Sequence, residues 1–165
     1  MTAPPGHETI PNHLWNVKTA LNASPAATTA VPSFMLALEG GTLPVRQREL
    51  AILRVAAVVG SDYEWGRHVH LARSRAQVDD DTLRAVRVGD VTGLSEVDAL
   101  VVRAAEAVQR RVVDTALREE LAEHFDAAQV TELILVTSFY VGLACAIDGF
   151  GIELDADITW GLSYP

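Results

Sequence analysis

The sequence contains only one cysteine, Cys145, among its 165 residues. A disulfide within the chain and a redox site built from two thiols are therefore both excluded. Basic residues are also scarce. The chain has 13 Lys and Arg against 22 Asp and Glu, which gives a formal net charge of -9. This charge opposes nucleic acid as a partner, since polyanion binding needs a positive surface.

Targeting and membrane signals are weak as well. The first eight residues contain neither the basic cluster nor the apolar stretch of a secretory signal. The longest apolar stretch, residues 130–147, is interrupted by Thr, Glu, Ser and Tyr. We therefore predict that this stretch is a buried helix rather than a membrane span, and that the protein is cytoplasmic with no membrane partner.

Aromatic residues make up only 6% of the chain, whereas 49% of all residues are hydrophobic. Ala, Val and Leu must therefore provide most of the packing. The mean hydropathy of +0.17 is high for a soluble chain of this length. Such a composition can fill one core and still leave apolar surface for contacts between subunits.

The chain reads as one helical domain, because it has almost no period-2 alternation that would predict strands. We expect a flexible N-terminal arm over residues 1–12, a single domain over 13–150 and a C-terminal tail over 151–165. Patterns typical of capping boxes occur at Ser95–Asp98 and Asp126–Gln129. The fold class is therefore all-α, with seven to eight helices predicted at about 13–22, 27–39, 45–59, 62–77, 80–87, 95–111, 115–123 and 127–148.

Glu49 is the first candidate functional residue. On a helix that begins after Pro44, it shares the apolar stripe of Ile52, Leu53 and Ala56. A carboxylate on such a stripe needs a partner if it is buried. The alternatives are a side chain that reaches solvent, or a first-turn glutamate favoured by the helix dipole.

Glu64 and His68 lie one turn apart on the next predicted helix. His68 falls at the edge of an apolar stripe formed by Trp65, Val69 and Ala72, where Glu64 can orient its ring, whereas His70 falls on the solvated side. An imidazole that titrates near neutral pH is a common proton shuttle. The alternatives are a packed histidine and a purely capping glutamate, since Ser61-x-x-Glu64 is itself a capping-box pattern.

A metal site formed by Glu49, Glu64 and His68 is a weaker interpretation, because no tight metal-binding signature accompanies them. No glycine-rich phosphate loop and no Gly-x-Ser-x-Gly elbow is present. Cys145 is predicted to be a small core residue. We predict no metal and no cofactor.

Around these residues the chain resembles the carboxymuconolactone decarboxylase family, whose fold is shared with the AhpD-like alkylhydroperoxidases. The resemblance is carried by residues 43–60 (LPVRQRELAILRVAAVVG), by residues 63–68 (YEWGRH) with Leu71 and Ala72, and by residues 132–142 (ELILVTSFYVG). It implies an all-helical AhpD-like subunit in a trimer or hexamer. The peroxidase branch has a Cys-x-x-Cys pair where this chain has Ser61 and Glu64, so dithiol peroxide reduction is not expected.

The resemblance implies a cofactor-free lyase or isomerase that transfers protons on a lactone or cyclic carboxylated small molecule. His68 would be the general acid/base, Glu64 its orienting partner and Glu49 a second proton relay. The expected substrate contacts are Arg46, Arg48, Arg67, Tyr63 and Trp65.

The sequence is also compatible with functions other than decarboxylation. The two glutamates and the negative net charge oppose a strongly dianionic substrate. The chain could therefore be a decarboxylase, cyclase, isomerase or dehydratase of a biosynthetic pathway. It could also be a non-catalytic binding or assembly protein on the same fold, or a metal-dependent enzyme.

Overall fold

The computed structural model describes residues 16–155 and residue 158, and these residues form eight helices and no strand. The predicted arm over residues 1–12 and most of the predicted tail lie outside them. The helices are α1 (Asn16–Leu21), α2 (Pro25–Glu39), α3 (Val45–Val59), α4 (Asp62–Ala76), α5 (Asp80–Val88), α6 (Glu96–Arg110), α7 (Thr115–His124) and α8 (Ala127–Phe150). The all-α prediction is confirmed.

Helix α3 lies at the centre of the molecule. Nine consecutive residues, Arg48 to Ala56, are buried, so the helix is enclosed on all sides rather than along one stripe. It packs against α4, α5, α6 and α8. Any polar side chain on this helix therefore needs a partner from a neighbouring helix.

The connection between α3 and α4 is short and sets up the candidate site. Gly60 ends α3 in the left-handed conformation, with φ of 76°, and Ser61 caps α4 by accepting a hydrogen bond from the Glu64 amide. Two helices joined by so short a connection return alongside each other. Glu49 on α3 is thereby brought beside His68 on α4, although 19 positions separate them in the sequence.

Local signals account for most helix ends, and the structure differs from the prediction at the start of α2 and in the cap of α6. Helix α2 begins at Pro25 rather than near residue 27, because Ser24 caps it and proline fits its first turn. The predicted capping box at Asp126 and Gln129 is present. At Ser95 the cap is one-sided, because the Asp98 carboxylate accepts hydrogen bonds from Arg46 and Gln47 instead.

Helix α8 is the most apolar helix among the described residues. By length and composition alone it could cross a membrane, a test that the core helix of a soluble protein also passes. One side of it packs on α3 and α6. Cys145, which we predicted to be a core residue, is exposed on α8, so that prediction is wrong: the small side chain falls on the outward face of the helix.

Candidate functional site

A cavity of about 610 Å³ lies between α1, α2, α4 and α8, and Ile158 contributes to its wall. Most of its lining is aliphatic, with Val17, Leu21, Met35, Leu36, Leu71 and Leu143 among the wall residues. The polar side chains Glu64, His68 and Tyr140 also line it. A concave, mostly apolar space with a few convergent polar groups is typical of a small-molecule site.

His68 and Glu49 form a short polar contact beside this cavity. The Nδ1 atom of His68 lies 2.7 Å from Oε2 of Glu49, and the two residues are 6% and 3% exposed. Glu49 is therefore buried and paired, which excludes the solvent-reaching alternative. It lies behind the imidazole and does not line the cavity.

Glu64 faces the other ring nitrogen of His68. Its Oε2 atom is 3.6 Å from Nε2, just beyond hydrogen-bond distance. Burial raises the pKa of Glu64 to about 7, although His68 and Arg67 act in the opposite direction. Glu64 can therefore carry or release a proton near neutral pH.

The capping role of Glu64 is only half of a capping box. Its amide donates to Ser61 Oγ at 3.4 Å, but the Ser61 amide donates to the Ala56 carbonyl rather than to the Glu64 carboxylate. The carboxylate is therefore not used as a cap, and its position on the cavity wall needs another explanation.

The surroundings of His68 favour its protonated form. Burial alone would lower the pKa of His68, but the charges of Glu49, Glu64 and Glu39 and the hydrogen bond that His68 donates to Glu49 raise it overall. Tyr140 contacts the ring edge-on, with centroids 4.9 Å apart. Burial and nearby carboxylates raise the pKa of Tyr140 well above its ordinary value, so its hydroxyl remains a neutral donor.

Tyr63 and Arg67, two of the predicted substrate contacts, line the cavity but are also held by Asp155. Tyr63 donates its hydroxyl to Asp155 Oδ2 at 2.6 Å, and Arg67 donates from Nε to the same atom at 3.0 Å. The backbone amide of Asn16 donates to Asp155 Oδ1 at 2.6 Å. One buried carboxylate thus joins the C-terminal segment to α1 and α4.

The structure places the other three predicted substrate contacts away from the cavity lining. Arg46 pairs with Asp98 at 2.9 Å, and Arg48 donates to the Glu39 carbonyl and lies 3.6 Å from Glu49. Trp65 is fully buried, with the Arg87 guanidinium 4.5 Å from its ring. Helical position alone did not show which neighbours these side chains would meet.

Three residues at the site were missed from the sequence: Tyr140, Asp155 and Glu39. Tyr140 lies in the mainly apolar α8, where its aromatic hydroxyl is a signal that could have been used. Glu39 lines the cavity at the end of α2, and Asp155 lies in a segment without helical periodicity. No local pattern identifies either of these two.

The three acid/base groups are not arranged as ligands of one metal ion. Glu49 and Glu64 approach opposite nitrogens of the His68 ring, so the two carboxylates and one nitrogen do not converge on a point. Within residues 16–155 and 158, no group of three or more His, Cys, Asp or Glu side chains is arranged to hold a metal. The arrangement is suited instead to moving a proton between carboxylate, imidazole and cavity.

Comparison with known proteins agrees with this fold. Residues 23–110 match the carboxymuconolactone decarboxylase family, a segment that includes Glu49, Glu64 and His68. A crystal structure from Agrobacterium tumefaciens, of a protein of unknown function proposed to be an antioxidant defence protein AhpD, has a similar fold. The TM-score is 0.73 at 18% identity, over 84% of this chain and 97% of that one. No curated protein matches the chain.

Proposed function

Because this chain belongs to the carboxymuconolactone decarboxylase family, we propose that it is a cofactor-free lyase or isomerase that transfers protons on a lactone or other cyclic small molecule. The observation that carries this proposal is the buried Glu49–His68–Glu64 array on the wall of an apolar cavity. A proton carrier within reach of the substrate space is the main requirement of general acid–base catalysis.

In the proposed mechanism, Glu49 orients the imidazole. The Glu49 carboxylate accepts the Nδ1 proton of His68 across 2.7 Å, which leaves Nε2 toward Glu64 and the cavity. Glu49 therefore takes the orienting role expected for Glu64, and Glu64 takes the relay role expected for Glu49. The reason is that His68 lies closer to Glu49 of α3 than to Glu64 of its own helix.

Nε2 of His68 then removes or returns the substrate proton. Glu64 is the second proton carrier, since its pKa of about 7 allows both protonation states at neutral pH. Tyr140 donates a neutral O–H toward developing negative charge, as an oxyanion-stabilising group does. Dithiol peroxide reduction is not part of the proposal, because the chain has a single cysteine.

The proposal includes self-association as a trimer or hexamer. Several large apolar side chains remain exposed in the single chain, including Phe34 and Leu36 on α2 and Leu135 and Phe150 on α8. Apolar surface of this kind supports a contact between subunits.

Solvent deuterium incorporation tests the proposed chemistry. We expect the wild-type protein in D2O to label at least one member of a panel of lactones and cyclic ketones, as detected by mass spectrometry. His68→Gln should lower the labelling rate by roughly a hundred- to ten-thousandfold, the usual contribution of a general base. Glu49→Gln should also lower it, because the ring loses its orienting carboxylate.

The matched control is His124→Gln, which changes a histidine that contacts only Glu96 among the ion pairs of the described residues. It should label at the wild-type rate. Unchanged labelling by His68→Gln would contradict the proposal, as would a wild-type protein that labels no compound. Binding without labelling would instead support the alternative of a non-catalytic binding protein.

A further inference from the structure

The cationic side chains near the catalytic array are already committed to carboxylates or carbonyls. Arg67 is bonded to Asp155, and these side chains are 10% and 0% exposed. Arg48 lies behind the array, where it contacts Glu49 and the Glu39 carbonyl. A carboxylate entering the cavity would therefore have to disrupt a buried pair before it could gain a cationic partner, which is costly.

The carboxylates, in contrast, line the cavity itself. Glu39 and Glu64 are both on its wall, and Glu49 lies one imidazole ring behind it. A ligand carboxylate near His68 would meet an imidazole already paired with Glu49, and two further carboxyl groups, Glu39 and Glu64, on the same wall. The array therefore disfavours an anion at the point where proton transfer would occur.

Lys18 of α1 is a further cation on the cavity lining. It also borders a second hollow of about 270 Å³, together with Asn22 and Thr28. The acid/base groups, in contrast, come from α3, α4 and α8 and do not border that hollow. Lys18 is therefore a candidate for the rim and not for the reacting centre.

The size and the walls of the cavity indicate what kind of ligand it can hold. A volume of about 610 Å³ lies within the range of cavities that hold drug-sized molecules. Its aliphatic walls favour an apolar skeleton, and the imidazole of His68 lies beside Glu64 and Tyr140 at one part of the wall. Such a space fits a ring system with one carbonyl or hydroxyl group.

We propose that the substrate is an uncharged, largely apolar ring compound whose carbonyl or hydroxyl group lies against Glu64, His68 and Tyr140. This inference rests on the proposed function for its reaction, but its binding preference does not depend on turnover. It favours isomerisation or dehydration over decarboxylation, because an uncharged ring has no carboxylate to lose.

The corresponding step is balanced without an oxidant or a reductant. The step starts with His68 neutral and Glu64 protonated, a state reached by transfer of one proton from the imidazolium to the Glu64 carboxylate. A ring C–H bond next to the carbonyl breaks, and its proton moves to His68 Nε2. The C–H electron pair forms a carbon–carbon double bond, the carbonyl π pair moves to oxygen, and that oxygen takes the proton from Glu64. Proton exchange between His68 and Glu64 then restores the starting state of the protein.

Binding of two matched probes tests the preference. At pH 7, 2-naphthol is uncharged and 2-naphthoate is anionic, while their ring systems are the same. We expect isothermal titration calorimetry to show at least tenfold tighter binding of 2-naphthol to the full-length protein. Leu71→Trp, which places a large side chain in the cavity, should abolish this binding while circular dichroism shows an unchanged helical fold.

Equal or tighter binding of 2-naphthoate by the wild type would overturn the inference, and its loss in Lys18→Met would then identify Lys18 as the anion-binding group. His68→Gln should retain the preference for 2-naphthol, since only proton transfer is removed. Failure of the preference is therefore distinguishable from failure of the proposed chemistry, which is measured by deuterium labelling.

Discussion

At the residue scale, Glu64 is distinguished by a buried position that costs stability when its carboxylate is ionised. Its carboxylate is buried at the cavity and is not used as a cap, although its amide bonds to Ser61. Burial of an ionised carboxylate is unfavourable, so the folded chain holds the Glu64 proton more tightly than the unfolded chain does. Buried groups of this kind occur often at catalytic sites.

The pH dependence of stability provides a test of this interpretation. The pKa of Glu64 is raised from its ordinary 4.5 to about 7. The proton therefore favours the folded state fully below the ordinary pKa, and this advantage is lost as the pH rises to about 7, a difference of about 3 kcal/mol. We expect urea unfolding of the wild type to show a free energy of unfolding that falls between pH 5 and pH 8.

Glu64→Gln should flatten this dependence, because the amide does not ionise. Part of the slope should remain, since the raised pKa of His68 acts in the same direction. Glu119→Gln, which changes an exposed glutamate on α7, is the control and should retain the wild-type slope. An unchanged slope in Glu64→Gln would show that this carboxylate is not desolvated in the folded protein.

At the element scale, the C-terminal segment packs against α4 where that helix has no side chain. A Cβ atom added to Gly66 would lie 2.0 Å from Cγ2 of Ile158. Asp155 fixes the same segment through Tyr63, Arg67 and the N-terminus of α1. The segment thereby completes the wall of the cavity beside Glu64 and His68.

Two glycine substitutions in helices should therefore have opposite effects. Alanine is favoured over glycine in a helix by about 1 kcal/mol, and Gly142 of α8 has no atom within 4 Å of an added Cβ. Gly142→Ala should raise the free energy of unfolding, whereas Gly66→Ala should lower it by about 1–3 kcal/mol through overpacking. Chemical denaturation of both variants measures the difference.

Removal of the clashing partner is the control for this prediction. In the double variant Gly66→Ala with Ile158→Ala, stability should recover relative to Gly66→Ala, because the methyl group gains the space of the isoleucine. If Gly66→Ala were as stable as Gly142→Ala, Ile158 would not be seated against α4 in solution.

At the scale of the whole molecule, the most apolar helix is only partly covered by its own chain. Helix α8 packs on α3 and α6 but exposes Leu135, which is 42% accessible. Its outward face also bears Cys145, which is exposed. A second copy of the chain would cover this surface in the proposed oligomer.

Light scattering coupled to size-exclusion chromatography tests this proposal. We expect a mass three or six times the 17.8 kDa of one chain. Leu135→Glu should reduce that mass, because a carboxylate buried in an apolar contact is destabilising. Val112→Glu, at a residue 63% exposed between α6 and α7, should leave it unchanged. A wild-type protein with the mass of one chain would contradict the proposal.

The sequence by itself determined most of the helices and was enough to select the candidate acid/base groups. Helix periodicity and the caps at Ser61, Asp79, Asp114 and Asp126 are local signals, because the interacting atoms lie within four residues of one another. The single cysteine excluded an intrachain dithiol without any structure. Glu49, Glu64 and His68 could likewise be selected as a polar group on apolar helix faces.

Only the tertiary structure decided which partners these groups have. The spacing of one turn favoured Glu64 as the partner of His68, but the packing of α4 on α3 places Glu49 closer, at 2.7 Å against 3.6 Å. The tertiary structure also pairs Arg46 with Asp98, buries Trp65 in the core and places Asp155 against Tyr63 of α4. These contacts join residues far apart in the chain, and helical periodicity specifies which face a residue occupies but not what packs against that face.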